Sequence, residues 1–276
     1  MRVRSRPPTS GVVRRHCPQN CPQFARESLR WPGLSGRVRS RSNWGADSGA
    51  ELGRRGGCCV GSMLVLQWAA MRLDHVIYGA RDLDDAAVRL EDEHGLRFLR
   101  GGRHPGGTVN SVAPLAPPQY LELLAVANVG DALTRKMQKL IDAGRTLLGW
   151  RIVVDDIDVI AARLGRVVEA GSITYVDGSI GSWRIVHEPS DESLPFFIAY
   201  DGDPDVRLRR WQERLREAGN EGFGNFTFVE VGGDPERIRA LLSDAHLPIR
   251  FVSGRPGLHA VGISGPTREI VLRDTA

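Results

Sequence analysis

The stretch RLDHVIYGARDLDDA, residues 72–86, sets the reading of this chain. Its first half reads as a β-strand, and its second half opens a helix behind an aspartate cap. His75 lies at the centre of that strand, where strict alternation gives it the same face as Leu73 and Ile77. An imidazole held there needs partners for its ring nitrogens. Those partners belong either to a core or to a functional site.

The pattern returns twice. LDHVIYGARDLDDAAVRLEDEHG (73–95) is a strand, an Asp cap, a helix striped by Leu83, Ala86, Ala87 and Leu90, and a Gly95 stop. LLGWRIVVDDIDVIAARLG (147–165) repeats it, with Ile157, Ile160, Ala161 and Leu164 before Gly165. FGNFTFVEVGGDPERIRALL (223–242) repeats it again, with Asp234 as cap, Pro235 at the first helical position, and Ile238, Leu241 and Leu242 inward. Short alternating strands follow each helix. The expected fold class is therefore α+β: repeated βαβββ units, about 72–126, 147–200 and 223–274, forming cupped mixed sheets with helices on the outer face. Two more helices, near 131–143 and 205–218, join the units. Their stripes (Leu133, Met137, Leu140, Ile141; Leu208, Trp211, Leu215) read as packing faces, and the Arg-rich side of 207–216 reads as a solvated face.

Upstream the composition changes. The chain carries 37 basic and 33 acidic residues; residues 1–70 hold 12 Arg, no Lys and 3 acids, which leaves 71–276 with 25 and 30, a net of −5. Arg, Pro, Gly and Ser dominate 1–60, a composition that does not bury enough surface to fold, so 1–70 is expected to be a disordered leader before a domain at 71–276. Three accounts of the leader compete: a transit peptide, a nucleic-acid arm, or upstream codons read in error before a start at Met63 or Met71. The last is favoured, because Met71 stands two residues before the first clear strand. Cys17, Cys21, Cys58 and Cys59 all fall in this segment, with neither zinc-finger spacing nor a disulfide framework. No apolar run reaches membrane-spanning length, and the acidic remainder opposes nucleic acid. The expectation is a cytoplasmic protein whose partner is a small molecule, with no nucleic acid and no membrane.

GGRHPGGTVNS, residues 101–111, lacks the Lys-Ser/Thr of a phosphate loop and suits a tight excursion between strands. Thr108 and Asn110 then alternate on one face, as substrate-binding hydrogen-bond groups or as ordinary cross-strand pairs. His104 reads as a proton carrier at a pocket mouth.

LDHVIYGARDLDDA, GGRHPGGTVNSVAPL and YLELLAV, which together span most of 72–126, resemble the glyoxalase-like domain branch of the vicinal oxygen chelate superfamily. That superfamily includes glyoxalase I, extradiol dioxygenases and bleomycin-resistance proteins. The resemblance implies a first-strand and a last-strand metal ligand in each unit. Carried over, these are His75 and Glu122, and Glu122 alternates with Leu121 and Leu123 so as to face His75. It implies a divalent metal (zinc, nickel, manganese or iron(II)), with Glu122 also catalytic, and isomerase, lyase, epimerase or ring-cleaving chemistry on vicinal oxygens. The second unit departs from the pattern. Trp150 or Gly149 matches His75, and Phe196 or Phe197 matches Glu122, so the alternative is a metal-free, drug-sequestering pocket lined by Trp150 and Phe197. In the third unit Thr227 matches His75 and Glu269 could match Glu122, while His187, His104 and His259 are further candidate ligands or ordinary hydrogen-bonded histidines. An odd third unit also suggests a homodimer, with that unit at or near the interface.

Overall fold

The computed structural model describes residues 71–242 and 245–275; the leader, 1–70, lies outside them. The first unit is β1 (Met71–Gly79), α1 (Leu83–His94), β2 (Leu99–Arg103), β3 (Thr108–Pro114) and β4 (Tyr120–Val126). After α2 (Ala132–Asp142) comes the second: β5 (Leu147–Val154), α3 (Ile157–Leu164), β6 (Glu169–Tyr175), β7 (Ile180–Val186) and β8 (Phe196–Tyr200). After α4 (Pro204–Ala218) comes the third: β9 (Phe226–Gly232), α5 (Pro235–Leu242), β10 (Ile249–Val252), β11 (Gly257–Ser264) and β12 (Glu269–Arg273). The fold is mixed α+β with curled sheets and helices alongside.

Local chemistry sets the helix ends. Asp82 accepts from the amides of Asp84 and Asp85 at 2.8 and 3.0 Å, and Gly95 closes α1 at φ 74°, a left-handed position that favours glycine. Asp156 and Gly165 do the same for α3.

Eight strands close into a barrel in the order β1-β4-β3-β2-β6-β7-β8-β5. Each of the first two units therefore contributes its strands in the order one, four, three, two. The units join antiparallel at two seams. The β1–β5 seam runs from Met71↔Val154 to Tyr78↔Leu147, whereas β2–β6 has only Gly102↔Tyr175 and Arg103↔Thr174. The third unit shares the order of elements but not the pairing: its sheet runs β10-β9-β11-β12, so its first strand lies between its second and third.

The main apolar core lies outside the barrel wall. Leu73, Val76, Trp150, Ile152 and Phe197 form one cluster with Leu83 and Leu90 of α1, Ile157 and Ile160 of α3, and Val229, Val231, Leu258 and Val261 of the third sheet. That sheet thus buries an apolar face within its own chain, and no second chain is needed to cover it. Asp274, just after β12, ties the sheet to the start of β5: it accepts from the Thr146 and Leu147 amides at 2.7 and 3.0 Å and pairs with Arg145 and Arg255.

Two expected faces are corrected. Pairing of β1 with β5 shifts register between Leu73 and His75, a bulge at Asp74, so Leu73 joins Val76 and Tyr78 in the core while His75 and Ile77 face the lumen. Trp150 and Phe197 are fully buried in the outer core; Arg151 and Phe196, one residue away, face inward. A one-residue slip exchanges every face of a strand.

Candidate functional site

The barrel encloses a cavity of about 750 Å³. Its wall is unusually charged, and each charge can be followed to its partners. The bulge turns Asp74 into the same network as its neighbour His75. A fully buried carboxylate is costly unless it is bonded. Asp74 accepts from His75 Nδ1 at 2.8 Å, Tyr200 Oη at 2.6 Å and Arg207 Nη2 at 2.6 Å. Burial alone would raise its pKa; the His75 bond and the Arg207 charge outweigh this and lower it.

His75 is buried, with its Nε2 3.4 Å from Glu122 Oε2. Its ring stacks on Tyr120 at 4.4 Å, and Tyr120 stacks on Trp211 of α4 at the same distance. Glu122 is buried too and accepts from Asn110 Nδ2 at 2.7 Å. The Gly102 amide donates to Asn110 Oδ1 at 2.8 Å, which fixes the amide so that its NH₂ meets Glu122. A Cβ on Gly101 would fall 2.0 Å from that same oxygen, so this strand needs glycine there. Burial raises the Glu122 pKa, yet the His75 bond, the His75 and His104 charges and the Asn110 bond bring it down to about 2. Tyr120 and Tyr200, hydroxyl to hydroxyl at 3.1 Å, are held as neutral phenols by burial and nearby negative charge.

His104 lies in the turn between β2 and β3. Its Nδ1 meets Thr108 Oγ1 at 2.7 Å, and its ring stands edge-on to Trp183. Burial lowers its pKa, partly countered by Glu122, so it is neutral near pH 7. Arg151 enters from β5 over the Phe196 ring at 3.8 Å. Burial brings its pKa down to about 10 against the pull of Glu122, and it remains a cation near neutrality. From α4, Arg207 covers Tyr200 at 3.6 Å and Arg210 covers Tyr175 at 4.2 Å. Arg207, Arg210, Trp211 and Arg214 line the cavity, so part of this Arg-rich side of α4 belongs to its wall, while Arg209, Arg210 and Arg216 are exposed to solvent as the sequence reading expected.

Of the residues singled out from sequence, His75, Glu122, His104, Thr108 and Asn110 line one cavity and bond to one another in pairs. Trp150 and Phe197 do not line it: the Trp150 indole donates to Ser193 O in the outer core. Thr227 and Glu269 bond to each other on the exposed third sheet, and His259 meets Arg255 O. His187 stacks on Phe196 at 4.1 Å. Asp74, Arg151, Tyr120 and Tyr200 escaped the sequence reading, although Tyr120 stands two residues before Glu122 and so shares its face.

The donors on the wall fall short of a divalent-cation site. His75 and Glu122 supply two, already directed at each other, and no group of three or more His, Cys, Asp or Glu suited to a metal occurs among the described residues. Where the second unit would complete the set, β5 pairs His75 with Arg151, a permanent cation that cannot ligate. The residues present do not fit the metal.

A family model described as "Glyoxalase-like domain" matches residues 73–243, the barrel and the start of the third unit. The chain belongs to the glyoxalase-like domain family. With it the chain joins the vicinal oxygen chelate superfamily. Among solved structures, a hypothetical protein from Staphylococcus aureus is 17% identical to this glyoxalase-like chain, with a TM-score of 0.55 over 70% of this chain and 90% of the other. Methylmalonyl-CoA epimerase from Streptomyces coelicolor, in complex with 2-nitronate-propionyl-CoA, is 17% identical with a TM-score of 0.38 over 48% and 95%. The Mycobacterium tuberculosis epimerase is 19% identical with a TM-score of 0.36 over 49% and 89%. At 17% identity the likeness to the Staphylococcus aureus protein is one of fold. No curated protein matches the chain.

Proposed function

We propose that this glyoxalase-like protein is an enzyme that takes a small organic molecule into the barrel and moves a proton on it without a divalent metal. The observation behind this reading is the cavity wall: His75 and Glu122 are buried in it and linked to each other, His75 is held by the buried Asp74 behind it, and a neutral His104 lies beside them. Buried charge of this kind is retained where it serves binding or chemistry. His104 is the candidate base, since Thr108 engages its Nδ1 and leaves Nε2 without a partner among the described residues. Glu122, held near 2, is a poor base and serves as a fixed acceptor. Asn110 positions Glu122.

A second reading, a metal-free small-molecule binder, draws on the satisfied state of the Glu122 network. Deuterium exchange separates the two. Ligands found by thermal shift are incubated with the protein in D₂O, and exchange at an acidic carbon should occur and be lost in His104→Gln. Binding without exchange would leave the binder. Protein purified without chelators should carry no near-stoichiometric zinc, nickel, manganese or iron. A bound metal lost in Glu122→Ala would overturn the metal-free reading.

A further inference from the structure

We infer that the ligand of the barrel is an amphipathic carboxylate, with its head on Arg151 and its hydrocarbon toward the rim. This rests on the cavity being the functional site. Arg151 is 6% exposed, and no carboxylate among the described residues forms an ion pair with it. The other deeply placed arginine contrasts with it: Arg145 is bound by Asp274 and Glu192. Of the five N–H donors of Arg151, the structure commits one Nη1 bond, to Trp150 O at 3.3 Å; the planar group otherwise rests on Phe196. Glu122 feels its charge but is already taken by Asn110 and His75. A cation lining a cavity in this state calls for an anion, and a guanidinium matches a carboxylate through two parallel bonds.

Part of the lining is apolar and reaches solvent. Leu133, Ile180 and Val206 line the cavity and are also exposed, at 37%, 72% and 53%. Large apolar side chains left in water at the mouth of a charged cavity fit the apolar part of a bound molecule. Trp183 and Trp211 add aromatic surface to the lining. A buried guanidinium without an ion pair and apolar side chains that reach solvent, on one cavity, define the ligand class and its direction.

Calorimetry of the full chain near pH 7 tests this with octanoate and octanamide, and with 4-phenylbutyrate and its amide. The carboxylates should bind tighter by about ten-fold or more, as a charge-assisted pair provides. Arg151→Gln should abolish that preference and leave amide affinity unchanged. Equal binding of acid and amide to the native protein would overturn the proposal while the cavity reading stands. No binding of any of the four would overturn both. Should Arg151→Gln fail to fold, Ile180→Asp, at an exposed position, carries the test. It should weaken octanoate and spare butyrate, and an equal effect on both would refute the outward tail.

Discussion

Replacing Glu122 by glutamine keeps the shape of the protonated acid while removing the charge. Asn110 Nδ2 can still donate to the remaining carbonyl oxygen, and the new NH₂ faces His75 Nε2 in place of the second carboxylate oxygen. The loss is the ionic part. The carboxyl falls from an ordinary 4.5 to about 2 on folding. At 1.36 kcal/mol for each unit, that drop is worth about 3 kcal/mol. Because the folded pKa is the lower one, this stability is fully present above about pH 5. It is lost as pH falls from about 4.5 towards 2, with roughly half gone by pH 3. In a domain of this size, about 3 kcal/mol lowers the melting temperature by about 6–12 °C. Thermal melts of both proteins followed by circular dichroism from pH 7 to about pH 3 measure the gap. It should be widest near neutrality and narrow in acid, because wild type then approaches the variant. Equal melting at pH 7, or a gap that stays constant down to about pH 3, would refute the assignment of an ionised, network-stabilised Glu122.

Two further substitutions probe the barrel. Trp150→Ala should cost about 3–5 kcal/mol in urea unfolding, because the indole is fully buried in the outer core, and Phe196→Ala should cost clearly less; the reverse order would mean the faces of β5 and β8 are misassigned. Gly102→Ala would bring a Cβ to 2.2 Å from Thr174 O, so the amides of the β2–β6 seam should exchange with D₂O markedly faster, and unchanged protection there would contradict the pairing.

Local pattern carried much of this molecule. The facing of His75 and Glu122 was legible because alternation in YLELLAV is unbroken, and helix ends were legible because caps are local chemistry. What failed was long-range. Arg151 was hidden because the bulge at Asp74 and the matching register of β5 depend on how two distant strands meet, and Trp150 was the more conspicuous neighbour. Arg207 and Trp211 looked like any amphipathic helix, since nothing in α4 itself says that a barrel mouth lies beneath it. The third unit has the same succession of elements as the first two, yet its strands pair in another order; succession is written locally and pairing is not.

A ring of strands has no free edge, but this ring is fastened unequally. One junction is zipped along almost the whole of β1, and the other is closed by two residue pairs beside Gly101, Tyr175 and Arg210 at the cavity wall. The first is a spine and the second a clasp. When the barrel breathes, the clasp yields at the smallest cost in hydrogen bonds, and the two half-sheets swing about the spine with their own pairings intact. A guest too bulky for the open mouth would pass most easily at that clasp.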